Sequence, residues 1–100
     1  MRVHPITGKV ARHNGVDIPA PHGTPIYATA DGIVGRAQRL GGYGNYVEIE
    51  HGNAIQTRYG HMSSYIVSPG QSVKKGQVVG YVGSTGRSTG NHLHYEVRIE

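Results

Sequence analysis

The chain contains no cysteine, no phenylalanine and no tryptophan, and only two leucines. Without cysteine there can be no disulfide and no thiolate ligand, so any transition-metal site must be built from His, Asp or Glu. Without the large aromatics and with so little leucine, the usual fillers of helical cores are missing. Val and Ile instead number nineteen, and β-branched side chains suit pleated sheets. No apolar run reaches the 18 or so residues of a spanning helix, and no signal-peptide pattern opens the chain, so it is not expected to insert in a membrane. Charge is also sparse, at 16% of residues. No Lys/Arg run exceeds two residues and no basic stripe is interleaved with aromatics, which argues against nucleic-acid binding. A formal charge of +4 is compatible with a polyanionic partner and equally with plain solubility.

What is abundant is punctuation. Sixteen glycines and five prolines leave no window for an amphipathic helix, and 100 residues is the size of one domain with a modest core. The expected fold is all-β. Predicted strands cover residues 25–29, 32–39, 45–51, 54–61, 77–82 and 92–99, with 63–67 as a further candidate. The alternation around Val47 and Ile49, followed by Gly52-Asn53 and then Ile55, Thr57 and Tyr59, reads as a hairpin. Two glycine-rich stretches, 41–44 and 83–90, read as long loops of the kind that frame binding sites.

The final stretch, GNHLHYEVRIE, places His92 and His94 one residue apart in a predicted strand. Alternation sets Leu93, Tyr95, Val97 and Ile99 on one face, expected to pack into the core, and His92, His94, Glu96 and Arg98 on the other. Such a pair is a ligand beside a base, or merely an exposed strand face. The segment RHNGVD spaces His13 and Asp17 as HxxxD in a stretch read as irregular or extended, where a turn with a local hydrogen bond is the alternative. His61, in YGHMS, falls at the predicted end of its strand. His22 and His51 read as turn residues beside glycine.

Together RHNGVD, YGHMS and GNHLHYEV, in this order, resemble the LytM or lysostaphin-type zinc metallopeptidases, the M23 group of peptidoglycan endopeptidases. The likeness covers nearly the whole chain, from RVHPITG through HGTPIYATADGIV and GQSVKKGQVVGYVG to the last strand. It implies an all-β fold of mostly antiparallel sheets in a compact sandwich-like domain with an open groove, and a single peptidase domain over residues 1–100, read as an excised catalytic domain, with one Zn²⁺. It also implies hydrolysis of cell-wall peptide cross-links outside the cytoplasm, with peptidoglycan stems as partner and any regulatory protein unidentified. Carried over by position, the zinc ligands are His13, Asp17 and His94, and the catalytic histidines are His61 and His92. Arg2, His4, Tyr43 and Asn91 are candidate substrate contacts.

The chemistry of these residues agrees with the resemblance. Two neutral imidazoles and a carboxylate leave a four-coordinate zinc one open position, as a hydrolytic site requires. A nearby histidine can then move protons at neutral pH. His92 is the expected base, and His61 the group that stabilises the tetrahedral intermediate or acts as acid. Glu96 shares the site face, either to orient an imidazole or to pair with Arg98. The cross-links of the Gram-negative type, D-alanyl to meso-diaminopimelyl, are the expected substrate, with glycyl-glycine bonds as the alternative. A noncatalytic wall-binding or amidase-activating module is the competing function. A biotinyl or lipoyl carrier, hinted at by SVKKGQVVG, lacks its modifiable Met-Lys-Met hairpin.

Overall fold

A computed structural model describes residues 12–86 and 90–99, with the side chains of 12–14 excepted. Among the described residues there are eight strands: β1 (Arg12–Pro19), β2 (Pro25–Tyr27), β3 (Gly32–Leu40), β4 (Gly44–Gly52), β5 (Ile55–Tyr65), β6 (Ser72–Val73), β7 (Val78–Val82) and β8 (His92–Ile99). A single 3-10 turn, Gly41–Tyr43, links β3 to β4. Every strand pair is antiparallel. The main path runs β1-β8-β5-β4-β3-β6, and β7 leaves it to join β5 to β2. No helix of the described residues is long and apolar enough to cross a membrane.

The all-β expectation therefore holds, with three local differences. The RHNGVD stretch, expected to be irregular or extended, is extended and more regular than that, lying within β1, which pairs with β8 along its full length. The two segments expected at 54–61 and 63–67 are one continuous strand, β5, kinked in its middle. The two-residue β6 escaped notice because a pair of residues carries no periodicity. The expected hairpin is present, and its turn uses three successive left-handed residues, Gly52, Asn53 and Ala54, at φ of 87°, 53° and 62°.

The two faces of the central strands differ in chemistry. Val47 and Ile49 of β4 and Tyr59 of β5 are fully buried and pack with Ile26, Val79 and Val82. On the other face the cross-strand register lines up Glu96, Arg58, Glu48 and Arg36 on β8, β5, β4 and β3. Opposite charges facing each other across strands stabilise the pairing and make this side polar. On the β1/β8 side Leu93 and Tyr95 reach the core as expected, while Ile99 remains 40% exposed. Leu93 and Tyr95, with Ile18, Ala20, Pro25 and Tyr27, line an apolar hollow of about 350 Å³. Since Ile18 and Leu93 alternate with Asp17 and His94, this hollow lies behind the sheet, away from the histidines.

Candidate active site

Three strands bring the histidines together. Asp17 on β1 and His94 on β8 are direct cross-strand partners, and His92 lies two residues earlier on the same face of β8. Gly15, two before Asp17, faces Glu96. A Cβ at Gly15 would stand 3.1 Å from His94 Cε1, so the glycine leaves the room the imidazole occupies. Gly60 does the same from β5, where a Cβ would meet the Tyr43 ring at 3.1 Å and His94 Cβ at 3.6 Å.

His61 comes to this face by a different route. It does not end a strand, as expected, but sits inside β5 with φ of 60°, a left-handed conformation that costs a non-glycine residue about 1–2 kcal/mol. Regular alternation would put it on the core face with Thr57 and Tyr59. The kink turns it over instead, and its ring centroid lies 4.8 Å from that of His92 and 5.8 Å from that of His94.

Hydrogen bonds fix the orientation of each ring. His61 Nδ1–H donates to the Thr85 carbonyl at 2.7 Å, and His92 Nδ1–H donates to the Gly90 carbonyl at 2.9 Å. A carbonyl only accepts, so in both rings Nδ1 carries a hydrogen and Nε2 is left to face the site. His92 Nε2 lies 3.5 Å from Asp17 Oδ1. His94 bridges two carboxylates, with Nδ1 2.8 Å from Asp17 Oδ1 and Nε2 2.8 Å from Glu96 Oε2.

Electrostatics follow from these contacts. Burial pulls the His94 pKa down, but the hydrogen bonds to Asp17 and Glu96 and their charges outweigh it, and the net shift is upward. The hydrogen bond from His94 holds Asp17 below its usual range. His61 is pushed down, chiefly by burial and further by the neighbouring imidazoles, against the opposing effect of its Thr85 bond.

Glu96 is the least expected member. Alternation placed it on the site face, but nothing in the sequence signalled that a carboxylate there would be only 1% exposed. Beside its contact with His94 it accepts from the Tyr43 hydroxyl at 3.0 Å and from Arg98 Nε at 3.4 Å. Tyr43, a candidate substrate contact, stands at the end of the 3-10 turn with its ring 4.7 Å from that of Tyr46 and 6.0 Å from that of His94. Asn91 is exposed just before β8. His13 pairs in register with Arg98 through its backbone, and its side chain lies outside the described residues. Arg2 and His4 also lie outside them.

Among the described residues no group of three or more His, Cys, Asp or Glu forms a metal cage. Two members of the expected set nonetheless converge. An ionised carboxylate only accepts, so a ring that donates to both Glu96 and Asp17 must carry two hydrogens. The one between Nδ1 and Oδ1 stands where a cation would bind the same two atoms. Once Glu96 takes the Nε2 hydrogen, Nδ1 is the lone pair that a cation would meet, and nitrogen plus carboxylate oxygen is a donor set zinc accepts.

A profile of peptidase family M23 matches residues 11–100. The chain belongs to peptidase family M23. This M23 domain is 52% identical over 98 residues to the DD-carboxypeptidase/endopeptidase Mpg of Neisseria meningitidis, covering 98% of this chain and 23% of that protein. It is 51% identical to the peptidoglycan DD-endopeptidase ShyA of Vibrio cholerae, with the same coverage. The domain thus spans about a quarter of the length of these relatives. Among solved structures it resembles a zinc-containing peptidase from Vibrio cholerae, with a TM-score of 0.83 and 47% identity over 98% of this chain and 30% of that one. It also resembles the catalytic domain of lysostaphin from Staphylococcus simulans, with a TM-score of 0.80 and 39% identity over 83% of this chain and 64% of that one.

Proposed function

We propose that this domain is a zinc-dependent endopeptidase that hydrolyses the peptide cross-links of bacterial peptidoglycan, acting outside the cytoplasm where that polymer lies. The observation that carries the reading is the convergence of Asp17, His61, His92 and His94 from three strands onto one polar face. Asp17, His94 and His13 are the proposed ligands of one zinc ion, with Glu96 holding His94 from behind. When bound, zinc supplies a Lewis acid for the scissile carbonyl and acidifies a water.

The chain's own residues then handle protons. His92 and His61, each tethered through Nδ1, present Nε2 as an acceptor. His92 Nε2, 3.5 Å from Asp17 Oδ1, takes the proton of the attacking water. The two ring centroids lie 4.8 Å apart, so both imidazoles border the space in which water attacks and the amine leaves. The proton gained is available to the amine that leaves. Likeness to a DD-endopeptidase at 51% identity supports the D-alanyl to meso-diaminopimelyl bond as the one cut, in preference to a glycyl-glycine bond.

The test is digestion of purified sacculi of both wall types with product identification by mass spectrometry. Expected are products cut at D-alanyl to meso-diaminopimelyl bonds, lost on chelation and restored by zinc. Release of glycyl fragments alone would reverse the choice of bond. Binding to sacculi without release of peptides, even with zinc, would make the domain a noncatalytic module, and activity indifferent to chelation would remove the metal from the mechanism.

Glu96 provides a second expectation. Glu96→Gln removes the charge that holds the His94 Nε2 hydrogen, and zinc affinity should fall about 10- to 100-fold in a competition titration against a chromogenic chelator. Unchanged affinity would restrict Glu96 to a packing role.

A further inference from the structure

His61 occupies a left-handed kink, a conformation that persists only where its surroundings over-determine it. The surroundings here centre on one residue of the glycine-rich loop. The Thr85 carbonyl accepts from His61 Nδ1 at 2.7 Å. Its hydroxyl donates at 2.6 Å to the carbonyl of Met62, the residue after His61. The same hydroxyl accepts from the Asn45 backbone N–H at 3.0 Å. Asn45 completes the arrangement, since its side-chain amide donates at 3.0 Å to the carbonyls of both Met62 and Ser63. The loop is held against the start of β4 by a backbone contact between Gly44 and Gly86 that admits no Cβ on either residue. Ring and kink are thus secured from one point.

We infer that Thr85 is a positioning residue for His61, its carbonyl fixing the imidazole with hydrogen on Nδ1 and its hydroxyl holding the kinked backbone that turns the ring into the site. The inference builds on the proposed hydrolytic reading. With Nδ1–H committed to a carbonyl, the neutral ring carries its lone pair at Nε2 and has no hydrogen there to donate, so His61 acts as an acid or an oxyanion donor only after Nε2 has received a proton.

The full-length zinc-loaded protein, labelled with ¹⁵N-histidine, provides the test. In the wild type the ring nitrogens of His61 should report hydrogen on Nδ1 and a lone pair on Nε2. Thr85→Val keeps the shape but loses the hydroxyl, and should lower kcat about 10- to 100-fold with KM within about 2-fold, while the His61 signals move to a mixture of tautomers. Thr85→Ser restores the hydroxyl and should return kcat to within about 3-fold of wild type, with the single tautomer. The inference is overturned by hydrogen on Nε2 in the wild type, a result that needs no variant to fold. It is overturned equally by unchanged kcat in Thr85→Val, by an effect confined to KM, by lost kcat with an unchanged tautomer, or by failure of Thr85→Ser to recover. A wild type that releases no peptides would count against the hydrolytic reading, and the tautomer measurement would still decide the role of Thr85.

Discussion

His61→Ala and His92→Ala should each retain about one zinc per chain by elemental analysis while losing about 10²- to 10⁴-fold in kcat on cross-linked muropeptides, the range for removing a positioned acid–base group. That loss is about 2.7–5.5 kcal/mol of barrier. The separation of metal from turnover follows from geometry. Both rings are tethered through Nδ1 to backbone carbonyls, whereas His94 is held between the carboxylates of Asp17 and Glu96. His94→Ala and Asp17→Ala should instead lose zinc and activity together. Because the two rings stand 4.8 Å apart and are proposed to serve one proton transfer, the double variant His61→Ala/His92→Ala should fall little below the worse single one, since groups that act as a unit are not additive. Loss of zinc in either single variant would mean that a ligand has been assigned to the wrong histidine. Multiplied effects in the double variant would mean that the rings work in separate steps.

How much of this was legible in the sequence depends on the range of the signal. Alternation along HLHYEVRI placed His92, His94 and Glu96 on one face and Leu93 and Tyr95 on the other, because a strand's period of two is local and β8 is regular. The Gly52-Asn53 hairpin was legible for the same reason, its turn chemistry lying in adjacent residues. The resemblance to M23 peptidases named distant partners that no local pattern could join. Asp17 and His94 are 77 residues apart and meet only through the β1–β8 register.

The differences arise where the backbone departs from its period. In RHNGVD, Gly15 reads locally as a turn or loop residue. In the sheet it is a strand residue whose missing side chain makes room for the His94 ring, a requirement set by β8 and invisible in the segment itself. His61 was placed at a strand end because two segments, one before it and one after, each alternate, with a break between them. The break is real, but it is a kink within β5, with the register shifting between Met62 and Ser64. Thr85 attracted no notice in GSTGRSTG because its function is carried by a carbonyl and a hydroxyl turned toward residues 23 or more positions away, not by any residue-type pattern. Glu96 was given a face but not a depth. Its burial depends on Tyr43, which comes from the turn before β4 to cover it.

Gly44→Ala should unfold the domain far more readily than Gly52→Ala, although both glycines have positive φ, of 69° and 87°. Strain is common to the two, and a left-handed alanine costs about 1–2 kcal/mol. At Gly52 nothing lies within 4 Å of the added Cβ, so strain is the whole cost. At Gly44 the Cβ would run into the Thr85 carbonyl carbon and come within 2.5 Å of its Oγ1 and 2.6 Å of the Gly86 nitrogen. Its ψ of −138° also lies far from the left-handed well that alanine tolerates. Overpacking against backbone adds about 1–3 kcal/mol, which brings the expected total to roughly 2–5 kcal/mol. In a domain of this size each kcal/mol moves the melting midpoint by about 4–8 °C, so thermal unfolding should separate the variants by at least about 4 °C. Below both transitions, kcat should fall in Gly44→Ala and hold in Gly52→Ala, because only the first displaces Thr85 and with it the carbonyl that orients His61. Equal midpoints would show that the loop moves aside at little cost. A Gly44→Ala protein that is less stable but turns over normally would show that the kink at His61 is held by Asn45 and the β5 backbone without help from the loop.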